Sequence, residues 1–144
     1  TLAYNGLSFS VPKNLYIIGM MNTADRSLAM IDYALRRRFS FFEVEPGFDS
    51  EGFIHYQNSL NNETLNELVN KVKDLNREIS LDKSLGKGFC IGHSYFCNMK
   101  PENCTDAALA SIVEYELIPM LKEYWFDEPG KVSEWSDRLR RSLR

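Results

Sequence analysis

The sequence predicts an α/β segment followed by an all-α segment, on three observations. A continuous apolar run, "LYIIGMM" (15–21), and a second strand-like run, "FSFFEVEP" (39–46), flank a stretch with helical apolar spacing. Beyond them apolar residues recur at helical spacing only, most clearly Leu65, Leu68, Val69, Val72, Leu75 and Ile79. The turn-rich "EPGFDSEG" separates the two regimes. The α/β part is therefore expected at 1–48 and the helical part at 49–144.

Leu15 to Met21 shows no polar alternation, so it reads as a strand buried on both faces, with Pro12 and Asn14 punctuating its start. Ser27 can cap a following helix in which Leu28, Ile31, Ala34 and Leu35 share a face. Arg36, Arg37 and Arg38 close that helix, where cations suit the C-terminal dipole. The second strand stops at Pro46 and Gly47, and the order strand, helix, strand suggests a parallel βαβ unit. Phe53 and Ile54 mark a short helix before the long Leu65–Ile79 stripe. Ala108, Leu109, Ile112, Val113, Leu117, Met120 and Leu121 mark another, kinked at Pro119; Val132, Trp135 and Leu139 mark the last.

Two strands apolar on both faces cannot bury themselves. The chain is therefore expected to be the C-terminal part of a larger α/β domain with its helical appendage. Its apolar content, 44% of 144 residues, is enough for a core. A net charge of −3 excludes a general basic nucleic-acid binder. No apolar run approaches a membrane span, and the N-terminus does not read as a secretory signal. Cys90, Cys97 and Cys104, with His93 among them, fit no usual zinc spacing, so reduced thiols, a cytoplasmic location and no metal site are expected.

The informative stretch is "GMMNTADRS" (19–27). In open α/β sheets ligands sit beyond the carboxyl ends of strands. Asn22, at such an end, offers a donor and an acceptor without charge, and Asp25 can take a proton or fix a water. The arginines of "DYALRRRF" are the type of residue that stabilises charge on a transferred phosphoryl group. The same residues also suit simpler roles: an Asx-turn at Asn22 and Asp25, a solvated helix end at Arg36–Arg38, and a partly buried structural His93.

As a set, "IIGMMNTADRSLAMIDYALRRRFSFFEVEPGF", "LGKGFCIGHSYFCN" and "PMLKEYWFDEPGKVSEW" resemble AAA+ motors, and more narrowly the McrB-like GTPases of modified-cytosine restriction systems. The resemblance runs from about Leu7 to Trp135. It implies the C-terminal part of an AAA+ (P-loop NTPase) core with its helical lid subdomain. It also implies a sensor-1 Asn22 that orients attacking water, with Asp25 completing the Asn-Thr-x-Asp element. Arg37 and Arg38 match arginines that reach a neighbour's nucleotide, with Arg26, Arg36 and His93 as further interface or nucleotide contacts. The intact protein is implied to form a hexameric ring, to hydrolyse GTP (or ATP) with Mg2+, and to serve an McrC-like endonuclease, with DNA held by other domains.

The sequence departs from that pattern in one respect. No G-x-x-x-x-G-K-[ST] is present, "LGKGF" at 85–89 lacking both the earlier glycine and the following Ser/Thr, and no apolar strand ends in Asp-Glu. This chain alone is therefore expected neither to bind nucleotide tightly nor to hydrolyse it. Two other classes fit the same residues: an ATP-using AAA+ motor without a nuclease partner, and a truncated interaction module without enzymatic activity. "RLRRSLR" at the C-terminus reads as a charged terminal helix turn.

Overall fold

Short polar side chains start three of the helices among the described residues. Ser50 Oγ accepts the Phe53 N–H at 3.3 Å and opens α1 (Glu51–Leu60). Asn62 Oδ1 accepts the Leu65 N–H at 2.9 Å and opens α2 (Glu63–Leu81). Thr105 Oγ1 accepts the Ala108 N–H at 3.2 Å and opens α3 (Asp106–Ile112). Each oxygen satisfies a backbone donor that the first helical turn leaves unpaired. Between α1 and α2 the chain reverses through Asn61, which adopts φ 45° and ψ 48° and ends α1 in the left-handed region that asparagine tolerates. The structure, a computed structural model, describes residues 6, 8, 10–22 and 36–143.

α2 is the centre of the helical unit. Leu65, Leu68, Val69, Val72, Leu75 and Ile79, the stripe read from spacing, are all buried. α5 (Pro129–Arg141) packs on α2 and also on a π turn (Val113–Leu117) and α4 (Ile118–Tyr124), and α3 runs into the π turn. Leu109, Ile112, Val113, Leu117, Leu121, Val132, Trp135 and Leu139 join the core, as their spacing predicts, with Ile118 beside them, while Ala108 and Met120 are only partly buried. Phe53 is buried but Ile54 is half open to solvent, so α1 turns one residue of the expected pair outward. Pro119 acts through the π turn just ahead of it, where the Ile118 N–H bonds back to Val113 O. A proline cannot donate to the carbonyl four residues back and crowds it, and the wider turn relieves both problems without breaking the helix.

The expected α/β part is not seen. Among the described residues no strand forms, and the expected helix from Ser27 to Leu35 lies outside them. Pro12 does close a turn with the Leu15 N–H, at 3.1 Å. Yet Ile18 is 92% exposed and Phe42 90%, so both apolar runs stand in solvent. A strand exists only as half of a hydrogen-bonded ladder, and an apolar run marks what must be covered without supplying the cover.

Acidic residues at the end of α2 bind the two tryptophans. The Trp125 indole N–H donates to Asp82 Oδ2 at 2.8 Å and the Trp135 N–H to Glu78 Oε2 at 2.9 Å. Lys131 Nζ lies 3.1 Å from Asp82 Oδ2 and 3.3 Å from Glu78 Oε1, and 4.3 Å from the centroid of the Trp125 ring. Read by spacing, these carboxylates belong to a polar helix face; in the fold they join α2 to α4 and α5. The Ser84 hydroxyl, the Trp125 indole and the Ser84 N–H hold the Asp82 carboxyl well below the usual carboxylate range, with Lys131 adding to them against the cost of burial.

A folded carboxyl with a depressed pKa takes up its proton at lower pH than the unfolded one. Its contribution to stability is therefore complete above about pH 4 and is lost as pH falls toward the folded value. Asp82→Asn should lower stability at neutral pH and flatten part of the acid limb below about pH 4. Denaturant titrations at several pH values check this. Parallel acid limbs in the two proteins would assign the acid sensitivity to other carboxylates.

Candidate functional site

The residues singled out by sequence fall into two groups. Asn22 is exposed at the end of the described N-terminal stretch, and Asp25 and Arg26 lie outside the described residues. Arg36 is helical, Arg37 and Arg38 follow in a turn, and all three are exposed. The Arg36 guanidinium carbon lies 5.8 Å from the Phe41 ring centroid, near the outer limit of a cation–π contact. Exposed guanidinium groups fit an anion brought by another molecule.

His93 is placed differently. It starts a 3-10 turn (His93–Phe96) in the loop between α2 and α3, and α2 itself shapes that loop. Asn76 Oδ1 accepts the Ile91 N–H at 2.6 Å, and its Nδ2 donates to Ile91 O at 2.8 Å, so one side-chain amide pairs like a strand neighbour. The Tyr56 hydroxyl accepts the Met99 N–H at 2.8 Å and lies 2.7 Å from Met99 O and 2.9 Å from Phe96 O, donating to one of them. Held from both sides, His93 turns its ring to the segment that follows the arginines. Its Nδ1 accepts the Gly47 N–H at 2.9 Å, so the ring carries its proton on Nε2. Among the described residues no hydrogen bond or ion pair joins His93 to Arg36, Arg37 or Arg38.

The same segment is tied down at neighbouring points. Phe48 is buried, with its ring centroid 5.4 Å from that of Phe53 and 6.2 Å from that of Phe96. Burying one such side chain stabilises by roughly 1.5–3 kcal/mol. Glu45 lies 3.2 Å from Lys87 and Asp49 2.6 Å from Lys73, and Glu45 raises the Lys87 ammonium above its usual value. Exposed pairs of this kind are screened by solvent, so Phe48 and the buried side of His93 dominate the attachment. Sequence reasoning misses this junction, although Gly47 just past the expected strand was a signal of close approach.

The helical unit carries an open groove of about 600 Å³, lined by Tyr95, Asn98, Met99, Ile112 and Glu116 among others. Its charged lining residue is acidic, which does not suit phosphate. The cysteines are free, and burial pushes their thiols up. Among the described residues no cluster of His, Cys, Asp or Glu could hold a metal ion, so no magnesium site can be assigned to them. No helix of the described residues is long and apolar enough to cross a membrane.

Residues 67–133 match the family described as McrB, alpha-helical lid domain. The chain is also 49% identical over 136 residues to the type IV methyl-directed restriction enzyme EcoKMcrB subunit of Escherichia coli strain K12. That match covers 91% of this chain and 30% of the relative, so the chain spans about a third of the relative's length. The family match takes in most of α2, the loop that presents His93, α3, α4 and the start of α5. The chain is therefore McrB-like, with residues 67–133 matching the McrB alpha-helical lid domain.

Proposed function

We propose that this chain is part of a GTP-hydrolysing AAA+ motor in a modification-dependent DNA restriction system. It contributes sensor 1, an arginine acting on the neighbouring subunit, and the lid. The observation that carries this reading is the lid-domain match lying directly downstream of "MNTADRS" and "DYALRRRF". The relative's name, a methyl-directed restriction enzyme subunit, supports the system in which the motor works.

In this reading Asn22 orients the attacking water and Asp25 supports it. Arg37 or Arg38 stabilises charge on the neighbour's phosphates, with Arg26 and Arg36 as secondary contacts at the same interface. GTP, or ATP in its place, and Mg2+ are held by a phosphate loop and acidic residues elsewhere in the motor. The described residues supply exposed cations that fit phosphate from outside, and no step through the metal is assigned to them. The partners are further copies of the motor in a ring and an McrC-like endonuclease, with DNA held by other domains.

Asn22→Ala in the assembled motor tests the sensor. Water orientation acts on the transition state, so nucleotide affinity should stay nearly unchanged while turnover falls on the order of 100-fold. Equilibrium titration with labelled nucleotide and steady-state phosphate release separate the two quantities. Lost affinity with unchanged turnover of bound nucleotide would make Asn22 a binding residue instead. Parallel titrations with GTP and ATP decide which nucleotide the motor uses.

A further inference from the structure

Residues 45–49 connect the arginine run to the helical unit. Their backbone is held at Gly47 by a side chain from the loop between α2 and α3. The His93 ring sits against Gly47 so closely that a Cβ there would lie 2.9 Å from Cε1. It is edge-on to Phe53, with centroids 5.5 Å apart, and to Phe48, with centroids 6.1 Å apart. The Gly47 carbonyl in turn accepts the Ser50 hydroxyl at 2.7 Å and the Ser50 N–H at 3.1 Å. Both polar groups of this glycine are thus occupied, and its rotation is blocked by the imidazole on one side and the α1 cap on the other.

We propose that His93 is a positioning residue for the arginine run. By fixing the Gly47 backbone, it sets the direction in which residues 36–46 leave the helical unit, and so where Arg37 and Arg38 are presented. This rests on the arginine role proposed above. A rotation about Gly47 redirects the residues on its N-terminal side, Arg37 and Arg38 among them. A displacement of about 1 Å at a charge-stabilising group is enough to cost up to about 100-fold in rate. The imidazole meets two requirements at once: its Nδ1 accepts the Gly47 N–H, and its ring fills the space against Phe48 and Phe53.

Two variants separate those requirements. His93→Phe keeps the ring and removes the acceptor; His93→Asn keeps an acceptor near the position of Nδ1 and removes the ring. In this chain, amide hydrogen exchange at Gly47 should accelerate at least about tenfold in His93→Phe while the central amides of α2 keep their protection. Unchanged exchange at Gly47 overturns the inference at its base. In the assembled motor, His93→Phe should lower turnover about 10- to 100-fold with nucleotide affinity unchanged, and His93→Asn should keep more of the rate. Combined with Arg37→Ala or Arg38→Ala, whichever is the slower variant, His93→Phe should add almost no further loss. A full-rate His93→Phe motor, or losses that multiply in the double variant, overturns the positioning role. If both arginine variants run at full rate, it is the arginine reading that fails, and the exchange result at Gly47 is left standing.

Discussion

Replacing Arg37 or Arg38 by alanine is expected to slow nucleotide turnover in the assembled motor by roughly 10³-fold at one of the two positions. Both side chains are exposed in a turn, so neither supports the core, and the loss should come without a fall in stability. Lysine should rescue poorly, because an ammonium lacks the planar fork that meets phosphate with two donors. The decisive test is complementation. An arginine variant acts on its neighbour's site and spares its own, whereas a variant of the phosphate-loop lysine spoils only its own site. Mixed rings then contain interfaces that pair an intact phosphate loop with an intact arginine, and activity should partly return. If rings demonstrably mix and nothing returns, the arginines act within their own subunit or serve only as favourable charges at a helix end.

Trp125→Ala should destabilise the helical unit by about 3–5 kcal/mol. The ring is 1% exposed, between the end of α2 and the end of α4, and its removal leaves a cavity that rigid neighbours cannot fill. It also strips one indole donor from the Asp82 carboxylate and the ring face from under Lys131. Trp125→Phe should fall between the two proteins, since most of the ring volume returns without the N–H. The adjacent Phe126 is 81% exposed, so Phe126→Ala should change stability by no more than about 0.5 kcal/mol. Urea unfolding of this chain followed by circular dichroism gives all three values. A Trp125→Ala midpoint indistinguishable from that of Phe126→Ala would mean that the tryptophan is not packed as described.

Local pattern was sufficient wherever a residue's fate depends on its near neighbours. The α2 stripe, the buried Val132, Trp135 and Leu139, and the helical character from Glu51 onward follow from helical periodicity and capping chemistry. The motif set "MNTADRS", "DYALRRRF" and "IGHSYF" likewise pointed to the family that the lid-domain match supports. Tertiary structure alone decided the rest. Gly47 meets His93 across 46 residues, Trp125 meets Asp82 across 43, and Trp135 meets Glu78 across 57. No periodicity encodes such pairings, because each depends on how two separately formed elements come together. The apolar runs at 15–21 and 39–46 show the same limit from the other side. Their composition states that they must be covered, but a strand needs the backbone of a second strand to form, and a single segment's sequence does not contain that partner.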